Sequence, residues 1–525
     1  MKLRRFLAPL LIVLALLVAL LFLVTWLPLR QARDAWRAGR DADAIAIAQR
    51  WSAWRLWPAE YAQLLAAASL TSGRRAQPYL AAIDRPLLPL IAKEEVARRL
   101  FAKQRYAEFL SYDAASHERN EAPDVALYRA AALVSTGRAG EASRVAIDRA
   151  RVDAKKLASL QEAIAQRTSG SVPLVFDRNG RAIDTDRDFA PFIHDTIAKQ
   201  LPALGTAATI DTTLDPFVQH AALEALGNFR GSMVVIDPRT NEVLAIASNA
   251  EKDLAIETQY EPGSVIKVLT GLNALSGGVD LKSIFPYVCN GELMIDGRHF
   301  GDWVPSGHGT LKNMDDALAV SCNVFFADAG IRMGRDRLLR FMRAAGFDGQ
   351  TNSGLFAVPL GRTKGDVFNN FETAFLAIGL QHETINTVHL AMLASMMANR
   401  GTLVMPRLLR SRRSVLGEVV TLPPAQGRAQ LASREAAETM ISAMHAVVTN
   451  PRGTGRRAPV EGVPMAMKTG TAGDRAHGLE ALIMAFAPVD SPKLAFAIIA
   501  EGAGPAEFAG AEIAHRFLER MKGRL

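Results

Sequence analysis

The chain has 525 residues, 49% of them hydrophobic and 22% charged, and 61 Lys and Arg against 53 Asp and Glu give a formal charge of +8. That length predicts two or three folded units, and the balance excludes disordered and collagen-like classes. The positive excess suits an anionic neighbour, but the densest basic clusters, Arg407 to Arg413 and Arg456-Arg457, hold no aromatic residue for base stacking, so nucleic acid is set aside.

After the basic start Met1-Lys2-Leu3-Arg4-Arg5, an uncharged run extends from Phe6 to Leu29 and is closed by Arg30. As a helix rising about 1.5 Å per residue it exceeds the roughly 30 Å of a bilayer's hydrocarbon layer. A cleaved signal peptide would share the basic start. The run is too long for its apolar core, however, and Val24-Thr25-Trp26-Leu27-Pro28-Leu29 lacks a small-x-small cleavage pattern. Residues 1–30 are therefore expected to be a retained anchor, with Lys2, Arg4 and Arg5 cytoplasmic and the remainder exported.

Residues 31–166 are rich in Ala, Leu and Arg, with apolar positions at helical spacing such as Ala44, Ala48 and Trp51. Gly39 and Gly73 sit in similar phrases 34 residues apart, the period of a tetratricopeptide helix pair, and a third phrase carries Gly137. A tetratricopeptide-like all-α domain is expected, with a non-repeating bundle as the alternative. Trp51, Trp54 and Trp57 are expected to serve helix packing.

Residues 167–215 read as a linker with leading strands, one over Val172–Phe176 ending in the Asn179-Gly180 turn and one at Ile210. Residues 216–525 read as an α/β unit. A helix covers Phe217–Leu226, and a hairpin joins Gly231–Asp237 to Glu242–Ser248. Helices fill much of Val265–Ala398. Strands cover Ala481–Ala487 and Leu494–Ala500, and a helix runs from about Ala506 to Met521. Cys289 and Cys322 permit one bridge or stand as two buried thiols.

Three short motifs carry chemistry. Ser264-Val265-Ile266-Lys267 puts a hydroxyl and an amine on one side of a helix, and a lysine shielded from water can act as the base that activates serine. Ser321-Cys322-Asn323 offers a proton-relay hydroxyl and an amide able to orient Lys267 and a substrate carbonyl. Lys468-Thr469-Gly470-Thr471 offers a strand edge for a peptide main chain, with Lys468, Thr469 and Thr471 placed for a carboxylate and Gly470 leaving room for close approach. Backbone N–H groups of Ser264 and Thr471 would form an oxyanion hole.

The three motifs in this order resemble the serine penicillin-recognising enzymes. The phrase Tyr260-Glu261-Pro262-Gly263-Ser264, the hairpin before it, Ala377-Ile378-Gly379-Leu380-Gln381 and Met397-Ala398-Asn399-Arg400-Gly401 resemble the transpeptidase domains of high-molecular-weight penicillin-binding proteins. The resemblance covers roughly residues 170–505. It implies a five-stranded antiparallel sheet sandwiched by helices beside a helical subdomain. It also implies Ser264 as acylated nucleophile, Lys267 as general base, Ser321 as relay, and Asn323, Lys468, Thr469, Gly470 and Thr471 as substrate-binding residues.

The implied reaction is D,D-transpeptidation of peptidoglycan stems ending D-Ala-D-Ala, blocked by β-lactams, in a single-pass protein of a bacterial inner membrane whose bulk is periplasmic. D,D-carboxypeptidase or endopeptidase action, or a non-catalytic sensor or scaffold recruiting wall-synthesis proteins through residues 31–166, stay open. No cofactor and no metal are expected. The family's frequent aromatic pair after the third motif is missing from Gly478–Ile483, and no stretch resembles a glycosyltransferase domain. His308, His382 and His477 are expected to be structural, and Gly453-Thr454-Gly455 a flexible turn.

Overall fold

A computed structural model describes residues 2–53, 57–83, 90–118, 121–168, 174–197, 207–352, 357–364, 367–421, 428–474 and 478–525. Trp54, His477 and the Val172-Pro173 start of the first expected strand lie outside these residues. The chain divides into two units. One holds 1–173, 205–208 and 413–419; the other holds 174–204, 209–412 and 420–525.

In the first unit a single helix runs over Lys2–Arg37. Its Ile12–Arg37 portion, with a mean hydropathy of 2.8 over its most apolar window, is long and apolar enough to cross a membrane. Side chains such as Ile12, Leu16, Leu20 and Val24 are exposed, whereas Leu29, Ala32, Ala35 and Trp36 are buried in the unit's core. One helix thus changes its apolar partner along its length. Further helices follow at Asp41–Ser52, Pro58–Ser72, Lys93–Ala102, Tyr106–Ala115, Pro123–Ser135 and Ala154–Thr168. Gly39, Gly73 and Gly137 close three of the turns between helices at φ near +80°, a region open to glycine without a Cβ penalty. Trp51 and Trp57 pack against this core.

The second unit is built on a sheet of β1 (Gly231–Asp237), β2 (Glu242–Ser248), β3 (Ala466–Asp474), β4 (Gly478–Ala487) and β5 (Leu494–Ala500). Their order is β3-β4-β5-β1-β2 and every pair is antiparallel. Ala497 faces Val234 and Ile498 faces Met233, so strands from the two ends of the unit meet at the middle of the sheet. β1, β2 and β5 are buried along their whole length, and such two-sided burial explains their unbroken apolar runs. Helices Pro216–Leu226 and Ala509–Met521 pack on each other and on the sheet, and the wholly buried helix Thr387–Ala398 also packs on it. The last helix starts at Ala509, three residues later than expected.

Between Val265 and Ala398 the helices are less continuous than expected. Among the described residues four short strand pairs interrupt them: Tyr287–Cys289 with Gly309–Leu311, Glu292–Ile295 with Arg298–Gly301, Gln350–Asn352 with Ala357–Pro359, and Arg362–Thr363 with Glu383–Thr384. Arms this short carry too little alternation to read as strands. Positive φ at Gly291, Asp296, Gly297, Gly307 and Gly309 turns the chain there.

Candidate active site

Ser264 stands in a short 3-10 turn, Gly263–Ile266, which leads into the helix Lys267–Asn273. Gly263 is clamped from two sides. Its N–H donates to the Gly379 carbonyl at 2.8 Å. A Cβ on Gly379 would lie 2.0 Å from the Gly263 oxygen, and one on Gly263 would lie 2.7 Å from the Thr471 oxygen. A Cβ on Gly470 would meet the Pro262 oxygen at 2.9 Å. Glycine at these positions lets the nucleophile turn, the Gly379 loop and β3 touch through bare backbone. Glu261 fastens the same loop, accepting from the Gln381 N–H at 3.0 Å.

Ser264 is half-buried, and among the described residues its hydroxyl makes no hydrogen bond. Lys267 is fully buried. Its Nζ donates to Asn323 Oδ1 at 2.6 Å, to the Ser321 carbonyl at 2.7 Å and to Ser321 Oγ at 3.3 Å. Burial pushes the Lys267 amine down to about 8, opposed by the negative charge of Asp302.

Ser321 holds φ at +54°, a strained value for a residue with a Cβ, and Cys322 then caps the helix Asn323–Met333. Lys468 on edge strand β3 reaches Ser321 Oγ at 2.8 Å and the Thr469 carbonyl at 2.8 Å. It too is fully buried, and burial together with the nearby Lys267 charge drives its amine well below the usual lysine range. Lys267, Ser321 and Lys468 thus form one hydrogen-bonded chain.

Thr469 is buried and its hydroxyl bonds that of Thr454 at 2.6 Å, while the Thr454 N–H donates to the Ala319 carbonyl at 3.1 Å. The Gly453-Thr454-Gly455 segment, expected to be a flexible turn, is therefore anchored between the second and third motifs. Only its hydroxyl could have signalled this. Thr471 Oγ1 accepts from the Ala506 N–H at 3.1 Å, and its backbone lies against Gly263.

A second cluster lies behind the Ser321 turn. Cys289 and Cys322 are free, buried thiols with sulfurs 3.4 Å apart. Asp302 Oδ2 lies 3.3 Å from Cys322 Sγ and 3.7 Å from Cys289 Sγ, and Oδ1 meets His308 Nε2 at 3.1 Å. Burial opposes ionisation of Asp302, yet the His308 hydrogen bond and the Lys267 charge hold its carboxyl at about 2. Cys289, Asp302 and Cys322 each offer one ligand atom within 4.8 Å of the others, a donor set of the kind that can hold a divalent cation. Linear spacing gave no hint of this convergence. His382 is buried.

The chain resembles known proteins in sequence and in fold. The family described as "Penicillin binding protein transpeptidase domain" matches residues 231–521. Peptidoglycan D,D-transpeptidase PbpA of Mycolicibacterium smegmatis is 29% identical over 343 residues, covering 56% of this chain and 67% of that protein. Peptidoglycan D,D-transpeptidase MrdA of Acinetobacter baumannii is 30% identical over 344 residues, covering 55% and 50%. The chain thus spans half to two thirds of the length of these curated relatives.

Among solved structures, the D,D-transpeptidase domain of a peptidoglycan glycosyltransferase from Eggerthella lenta is 22% identical with a TM-score of 0.58, covering 67% of this chain and 98% of that one. Pseudomonas aeruginosa PBP2 in complex with WCK 5153 is 21% identical at a TM-score of 0.56, covering 66% and 95%. These two establish likeness of fold. With the family match extending over more than half of its residues, the chain belongs to the penicillin-binding protein transpeptidases.

Proposed function

We propose that the chain is a serine D,D-transpeptidase that cross-links peptidoglycan stem peptides through an acyl-enzyme on Ser264. The observation that carries this reading is the buried chain of Lys267, Ser321 and Lys468 beside Ser264. With an amine at about 8, about a tenth of Lys267 is neutral at pH 7 and able to accept the Ser264 proton. Ser264 Oγ attacks the penultimate D-Ala carbonyl, the C–N bond breaks, and the proton passes through Ser321 to the departing D-Ala amine. An acceptor amine then attacks the ester, the bond to Ser264 Oγ breaks, and the amine's proton returns to that oxygen.

In this reading the backbone N–H groups of Ser264 and Thr471 hold the oxyanion. Asn323 fixes Lys267 and meets the substrate amide. The edge of β3 at Gly470 takes the peptide main chain. Lys468, Thr469 and Thr471 hold its carboxylate.

The family's β-lactam-acylated members, such as penicillin-binding protein A of M. tuberculosis as a penicillin G acyl-enzyme complex, support the same chemistry here. We further infer an inner-membrane protein with Lys2, Arg4 and Arg5 inside and the catalytic unit in the periplasm, and a tetratricopeptide-like helical region that recruits wall-synthesis proteins. Intact-mass measurement after penicillin treatment tests the enzyme reading. A covalent adduct is expected on the wild type and not on Ser264→Ala, and an unmodified wild type would overturn it.

A further inference from the structure

Of the six tryptophans, five fall within residues 26–57 and one, Trp303, lies in the catalytic unit. It follows Asp302, whose fully buried carboxylate is held by His308 and the Val324 N–H, so the backbone at Trp303 is fixed from behind. The indole N–H donates to the Val320 carbonyl at 3.1 Å, one residue before Ser321. The ring also leans on His308, 5.6 Å between centroids. Although pinned at these points, Trp303 is 51% exposed. A rigid aromatic with its polar handle satisfied and its face in water is poised for a ligand, since it loses little freedom on binding.

The location selects the ligand. Any amine that resolves the acyl-enzyme through Ser321 must come within hydrogen-bond reach of it, and Trp303 is an exposed apolar surface hydrogen-bonded to the residue before it. An alkyl amine reaches the site as an ammonium, because its ordinary proton affinity lies well above neutrality. An indole face attracts an ammonium and covers the methylenes behind it. We infer that Trp303 is the acceptor-binding residue, receiving a primary amine carried on an aliphatic chain. This rests on the transpeptidase reading above and adds the side from which the second substrate enters.

The full-length protein is tested as wild type, Trp303→Phe and Trp303→Ala. Penicillin acylation of Ser264 is followed by intact mass. Turnover of a D-Ala-D-Ala donor is followed at rising concentrations of a peptide bearing one free side-chain amine, scoring aminolysis against hydrolysis. Acylation should stay within about threefold in both variants. The aminolysis-to-hydrolysis ratio should fall about tenfold in Trp303→Ala, with a higher half-saturating acceptor concentration, and less in Trp303→Phe, which keeps an aromatic face. The acceptor peptide should also quench tryptophan emission of the wild type and leave that of Trp303→Phe unchanged.

An equal ratio in all three proteins overturns the inference. So does a parallel fall of acylation and aminolysis, which would mark Trp303 as a strut for the Ser321 turn. A wild type that penicillin leaves unmodified would instead remove the transpeptidase reading beneath it, and the inference with it.

Discussion

Buried lysines occur in both units, and the two sets are treated in opposite ways. In the helical unit Lys93, 3% exposed, meets Asp113 at 3.1 Å and Glu121 at 2.5 Å, and Arg129 closes the network onto both carboxylates. Burial works against the charge on Asp113, but hydrogen bonds from Arg129 and the Lys93 charge hold its carboxyl below the usual range. In the catalytic unit Lys267 and Lys468 are equally buried. Among the described residues neither has a carboxylate partner; they face hydroxyls, carbonyls and one amide. A buried cation matched by anions remains a charged strut, while one offered only neutral acceptors gives up its proton more readily. The same residue type is structural in one place and reactive in the other because of its partners.

The contrast can be broken by substitution. Lys267→Met should leave the fold intact and lower the rate of penicillin acylation by about 10²–10⁴-fold, the usual worth of a general base. Lys93→Met should do the reverse, keeping acylation while costing about 3 kcal/mol of stability through its stranded carboxylates, read as a lowered denaturant midpoint.

Gly379→Ala should cost roughly 2 kcal/mol and weaken acylation as well, since its Cβ has no space beside Gly263 and its φ of +87° disfavours any side chain. Thr454→Val, which removes the partner of the Thr469 hydroxyl, should have the smallest effect, about 1 kcal/mol or a fivefold slower acylation.

Much of the catalytic unit was legible in the sequence because its signals are local. The hairpin of β1 and β2 and the runs of β4 and β5 are short, apolar and bounded by turn residues. Ser264 and Lys267 are one helical turn apart, so their juxtaposition follows from geometry. What escaped depends on contacts between distant residues. Gly263 and Gly379 are 116 positions apart, and their backbone contact leaves no mark except two glycines. Thr454 looked like a loop residue because its partner is on another element. The Cys289, Asp302 and Cys322 cluster is assembled by hairpins whose arms are too short to carry a period. The hydrogen bond from Lys468 to Ser321 was also out of reach, since it joins residues 147 positions apart.

The central claim is that burial, only partly offset by the Asp302 charge and with no carboxylate in hydrogen-bond reach among the described residues, makes Lys267 a base near neutrality. A lysine whose amine is lowered by folding is protonated below the folded value and neutral above it, so its activity as a base rises with pH. Stability should rise in the same direction between about 8 and the ordinary lysine value of 10.5, where the unfolded chain binds the extra proton. The rate of Ser264 acylation by penicillin, measured by quenched intact-mass time courses from pH 6 to 10, should climb to a plateau with a midpoint at about 8. A flat profile would mean that the buried amine is not the base, and a rate still climbing steeply at pH 10 would mean that folding does not lower it.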